Sequence, residues 1–157
     1  MAARKVVLYG IATQVGEGTV AGGTITPGDL LARSSATQMI RHGNAGRNHA
    51  FLFADNVPDR NKGIDDDYSA NDNVRVVVPT RGAIMNANLA ANAAAVAIGD
   101  ALESNGNGKL RKHTPQAVNE GGAASYTIYA EAIVGYALEA IDNSANGSPV
   151  RIRVEIR

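Results

Sequence analysis

The residues of this chain that could do chemistry are few and widely spaced. Asp100 and His113 fall in the stretch VAIGDALESNGNGKLRKH, from Val96 to His113, and form a candidate acid–base pair. The same pattern occurs in ITPGDLLARSSATQMIRH, from Ile25 to His42. Gly28-Asp29 matches Gly99-Asp100, Leu31 matches Leu102, and His42 and His113 stand at the same distance from their glycines. A catalytic pair is not expected twice in equivalent settings. An aspartate that follows glycine at the start of a strand bonds nearby backbone N–H groups and fixes the turn. Asp29 and Asp100 are therefore read as turn-fixing structural residues. A third, looser copy starts at Ile133 and keeps Gly135, Ala137 and Leu138.

The remaining chemical candidates fail on spacing. His42 and His49 flank a glycine-containing loop, but no third ligand stands at a zinc spacing and no HExxH motif occurs. The histidines are read as exposed loop residues, and no metal site is expected. Asp65, Asp66, Asp67 and Asp72 lack the alternation, central glycine and closing glutamate of a calcium loop, and read as a solvated acidic turn. Gly16–Gly22 is one residue too long for a dinucleotide fingerprint, and no helical pattern follows it. The GNGK run lacks the P-loop spacing. Without cysteine there is no thiol nucleophile, and there is no GxSxG motif. No enzyme activity and no cofactor are expected.

The elements that must carry these residues read mostly as strands. Arg4–Ala12 is apolar and β-branched, and Thr24–Ser34 reads as a strand opened by Pro27-Gly28. Val74–Pro79 is a strand stopped by proline. Ser125–Ile141 is mostly strand. Val150, Ile152, Val154 and Ile156 alternate with Arg151, Arg153, Glu155 and Arg157, the period of a half-buried strand. The Gly-rich stretch Val15–Gly23 reads as a turn or mobile link. The alanine-rich stretch from Asn86 to Ala95 reads as a short helix, although its asparagines weaken that reading. Short strands separated by Gly, Asn and Pro clusters predict an all-β fold: a compact barrel or sandwich with long loops and at most one or two short helices. A single domain over 1–157 is expected, with a flexible segment 1–23 and a long loop 42–73 around the apolar patch Ala50–Ala54.

The chain has 157 residues and is 45% hydrophobic, enough for a core built from aliphatic side chains. Its 15 basic and 15 acidic residues balance, whereas nucleic-acid binders carry a basic excess. No apolar run is long enough to span a membrane. The start carries a basic pair but too short an apolar run for a secretory signal, so synthesis in the host cytoplasm is expected.

Three segments, Gly63–Gly82, Ala93–Gln116 and Ile133–Arg157, together resemble capsid decoration (cement) proteins of tailed bacteriophages. The match lies in their order: an acidic turn into a strand, an Ala-rich run into Gly-Asp and a Gly-rich turn, and a Gly-x-Ala-Leu strand before a final Val/Ile/Arg strand. The resemblance implies a β-rich virion protein on the outer surface of the head. It implies binding to the major capsid protein where its subunits meet and stabilisation of the expanded shell, commonly as a homotrimer, with dimers known. It brings no catalytic residues, and direct contact with nucleic acid or membrane is not expected. Arg4, Lys5, Arg47 and Arg60, on the N-terminal segment and the long loop, are the candidate capsid contacts. A carbohydrate- or host-surface-binding β module is the alternative. Its weakness is the shortage of aromatics, five Tyr and two Phe, for stacking on sugars.

Overall fold

The computed structural model describes residues 5–115 and 129–157. It is nearly all β, and its strands close into two five-stranded barrels. In chain order the strands are β1 (Val7–Tyr9), β2 (Ala12–Val20), β3 (Leu30–Arg33), β4 (Gln38–Arg41), β5 (Leu52–Ala54), β6 (Asn73–Pro79), β7 (Ile84–Leu89), β8 (Ala93–Val96), β9 (Ala101–Ser104), β10 (Leu110–Lys112), β11 (Ile133–Ala137), β12 (Ile141–Asn143) and β13 (Val150–Ile156). One 3-10 turn, Pro58–Arg60, lies between β5 and β6. The first barrel runs β2-β4-β3-β5-β6 and closes on itself; the second runs β7-β10-β9-β11-β13 and closes through β7–β13, with β1 added beside β7.

The two barrels repeat one another pairing for pairing. In the β3–β4 hairpin Leu31 faces Arg41, and in the β9–β10 hairpin Leu102 faces Lys112. His42 donates its backbone N–H to Leu30, and His113 donates its own to Ala101. Leu30 faces Phe53 on β5, and Ala101 faces Tyr136 on β11. The parallel contact of β2 with β4 (Val20 with Met39) recurs as β7 with β10 (Leu89 with Leu110). The Ile25–Tyr68 bridge recurs as Val96 with Ile141. The repeated unit is thus a whole barrel. The segment starting at Ile133 is no third copy of the hairpin: β11 and β13 are the second barrel's counterparts of β5 and β6.

Alternation fills the interiors. Leu31, Met39, Leu52, Ala54, Val74 and Val76 form the first core with Ile25 and Tyr68. Met85, Ala87, Leu89, Leu102, Leu110, Ile152 and Val154 build the second. Leu30, Phe53 and Val77 point the other way from the first barrel and join the second core, welding the two together.

Three readings of the sequence are corrected here. The Asn86–Ala95 stretch is β7, a turn at Asn92 (φ 53°) and β8 rather than a helix. Met85, Ala87 and Leu89 alternate into the core while Asn86 and Asn88 are buried at the barrel contact, so tertiary partners override alanine's helical preference. The Gly-rich stretch is no mobile link, since Ala12–Val20 is a continuous strand. Gly16 (φ +118°) marks a register shift, and a Cβ on Gly18 would lie 2.6 Å from Met39 Cγ. The glycines serve a bulge and a close approach. The 42–73 interval contains a barrel strand, β5, at its apolar patch. Of the Ser125–Ile141 stretch, residues 125–128 lie outside the described residues.

Candidate functional site: the seam between the barrels

The two Gly-Asp turns share one local design. Asp29 N–H donates to Thr26 O at 2.9 Å and Asp100 N–H to Ala97 O at 3.1 Å. The carboxylates answer: Thr26 N–H donates to Asp29 Oδ2 at 3.0 Å, and Ala97 N–H donates to Asp100 Oδ2 at 2.8 Å. Gly28 (φ +88°) and Gly99 (φ +85°) take the left-handed conformation that this turn requires at its third residue. Each aspartate also pairs with the equivalent cation on the neighbouring strand: Asp29 with Arg41 Nε at 3.1 Å, Asp100 with Lys112 Nζ at 2.7 Å. The Lys112 hydrogen bond, then the Ala97 N–H, hold the Asp100 carboxyl below its ordinary range.

Beyond the turn the two diverge. Asp29 is fully buried, and its Oδ1 receives Asn88 Nδ2 at 2.6 Å and Lys109 Nζ, both from the second barrel. Burial pushes the Lys109 ammonium below its ordinary range, and the attraction of Asp29 opposes that. Pro27 O accepts Asn88 Nδ2 at 3.1 Å and also Arg151 Nη1, and Arg151 reaches on to Ile64 O. The turn of the first barrel is thus the polar centre of the seam, with both oxygens of Asp29 and the carbonyl of Pro27 engaged.

The histidines flank the same seam. His42 is buried rather than exposed on a loop: Nδ1 lies 2.8 Å from Ser104 Oγ and Nε2 lies 3.2 Å from Asn48 O. Desolvation lowers its pKa. His49 packs edge-to-face on Phe51, and burial, then the proximity of His42, lower it to about 4. His113 Nδ1 sits 2.6 Å from Glu103 Oε2, while Arg111 Nε donates to Glu103 Oε1 at 2.8 Å. Beside Glu103 opens a cleft of about 470 Å³, bordered by Arg47, Arg111, His113 and Tyr129. Both oxygens of the buried Glu103 are already taken, so it acts as a bound counter-charge and not as an open base. Among the described residues no three metal-ligating side chains cluster.

The basic candidates are not brought together. Arg60 ends the 3-10 turn and pairs with Glu17 on β2 at 2.7 Å. Lys5 lies beside Asp55, Asn56 and Arg75. Arg47 stacks over the Tyr129 ring at 4.4 Å. Arg4 lies outside the described residues. The acidic stretch is divided among separate partners: Asp66 accepts from Gly63 N–H, Asp67 from the Thr26 hydroxyl, and Asp72 from Ser69 N–H and Lys62. Sequence reasoning missed Asn88, Glu103 and Lys109. The signal for Asn88 was present, since it alternates with the apolar residues of β7; nothing local marked the other two.

No family model matches the chain, and no curated protein matches it. Among solved structures, the N base of the head fiber protein gp8.5 of bacteriophage phi29 is similar, with a TM-score of 0.52 and 12% identity. The likeness covers 92% of this chain and 94% of that one, so it extends over both barrels, and at this identity it establishes a shared fold.

Proposed function

We propose that this protein is a structural component of a phage head. It binds the outer surface of the capsid where major capsid subunits meet and stabilises the expanded shell, as a homotrimer on local threefold positions. The observation that carries the reading is the likeness across both barrels to a head fiber base. The resemblance of three chain segments to capsid decoration proteins supports it independently. In this reading the protein performs no catalysis and meets protein, not DNA. Its charge balance of 15 against 15 suits that partner. Lys5, Arg47 and Arg60 are exposed and, in this reading, supply basic contacts to the shell.

The experiment is a melting curve of expanded shells of the same virus with and without saturating protein, alongside co-sedimentation. A protein that binds only the assembled shell raises its melting temperature by mass action. Saturable co-sedimentation with a raised shell melting point is the expected result. Unchanged curves with no co-sedimentation remove the reading and favour the carbohydrate-binding alternative.

A further inference from the structure

Because the barrels are built alike, each surface of one has a counterpart on the other. On the first barrel the outward row Leu30–Phe53–Val77 is buried by the second barrel. The corresponding row of the second barrel is Ala101–Tyr136–Glu155, and it continues through Ile84 on β7 to Tyr9 on β1. Side chains in such register share one face. Here that face is open: Tyr136 is 43% and Tyr9 73% exposed. At its margin Ile98, the counterpart of buried Pro27, is 71% exposed. Three of the four large apolar side chains exposed among the described residues thus belong to this face or its margin.

At the middle of the row stands a charge. Glu155 lies between Tyr136 and Ile84 and is in no ion pair among the described residues. The arginines on either side of it in sequence are engaged elsewhere: Arg153 with Glu139 at 3.0 Å and Arg157 with Ala130 O at 3.1 Å. A carboxylate between a tyrosine and an isoleucine, with a second tyrosine one strand further along the row, matches an incoming cation through an ion pair and a ring face together.

We propose that this row is the docking surface for a capsid subunit that presents an arginine or lysine framed by apolar side chains, an inference that rests on the head-binding reading above. A second copy of the chain does not fit in the way the barrels fit each other. The second barrel grips the first through the hairpin tip Asn105–Gly108, where Leu30 N–H donates to Gly108 O at 2.7 Å. That approach needs glycine: a Cβ on Gly108 would lie 2.9 Å from Arg41 Cγ, and one on Gly106 3.0 Å from Ala45 N. The matching tip of the first barrel, Ser34–Thr37, has side chains at all four places.

The test measures binding of wild type, Glu155→Lys, Glu155→Gln and Tyr136→Ser to expanded shells, with Thr37→Lys on the first barrel as control. Melting temperatures of the free proteins establish folding. Glu155→Lys is expected to weaken binding more than about tenfold, Glu155→Gln and Tyr136→Ser less, and Thr37→Lys not at all. Folded variants that bind as wild type does overturn the docking surface and leave the head-binding reading standing. A wild type that does not bind overturns both. Self-association of the wild type that Glu155→Lys abolishes also overturns the proposal, because the occupant is then another copy.

Discussion

Asp29 and Asp100 make the same turn with the same backbone bonds and the same kind of cation on the next strand, yet one is buried and the other borders solvent. The difference comes entirely from what lies outside the turn. Around Asp29 the second barrel supplies Asn88 and Lys109, and a device that shapes a local loop becomes the polar centre of a barrel contact. Around Asp100 no described residue of another barrel arrives, and the turn has only a local role.

The largest expected effect breaks this contrast at its centre. Asp29→Ala leaves Lys109 buried without its counter-charge and should cost about 3–5 kcal/mol. Asp100→Ala should lower the melting temperature only slightly. Equal losses in a denaturant titration of the two variants would show that the seam does not depend on Asp29.

The glycines sharpen the same comparison. Alanine at Gly99 meets nothing within 4 Å, so only the left-handed backbone opposes it, at about 1 kcal/mol. Alanine at Gly28 faces the same backbone cost. It also places a Cβ 2.8 Å from Asn86 O, a backbone atom that cannot swing away, adding about 2 kcal/mol. Matching unfolding midpoints for the two variants would contradict the packing at the seam.

The pH dependence comes next. His49 is held neutral, at about 4 against an ordinary 6.5. The folded form therefore binds fewer protons than the unfolded chain between those values. The stability this confers is full above about pH 6.5 and is lost as pH falls toward 4, by about 3 kcal/mol, with His42 acting in the same direction. The Asp100 and Asp72 carboxyls are lowered from 3.8, so their contributions fade only at more acid pH. His49→Asn should flatten the stability profile between pH 6.5 and 4; an unchanged slope would assign it to other groups.

The smallest effect concerns the paired cations. Arg41→Met removes a partner of a buried carboxylate and should cost about 1.5–3 kcal/mol. Lys112→Met removes an exposed one and should stay within about 0.5 kcal/mol. A larger loss at Lys112 would reverse the ranking of the two turns.

Much of this contrast was hidden in the sequence for a physical reason. The paired turns, the hairpins after them and the alternation of β13 are written in neighbouring residues, and reading them needs only turn chemistry and period two. The helix expected at Asn86–Ala95 does not form because the alternation of Met85, Ala87 and Leu89 with the asparagines, which buries one face in the barrel, outweighs alanine's helical preference. The strand β2 is not legible as a strand because its glycines, which serve a bulge and a close approach to Met39, have the composition of a flexible link. The seam was not legible: Lys109 stands 80 residues from Asp29, and nothing beside either residue names the other. Charge and loop position alone mark the candidate basic contacts, and the structure distributes them among unrelated partners.

By itself the sequence determined an all-β chain, the places where its turns occur and the fact that two of those turns are alike, because propensity, alternation and turn chemistry act over a few residues. Only the tertiary structure decided that the repeat is an entire barrel and which turn is buried. It also decided that one apolar row is covered while its counterpart with Tyr136 and Tyr9 stays open. Those outcomes depend on strand closure and barrel docking, where residues distant in the chain meet, and each contact's energy belongs to both partners at once.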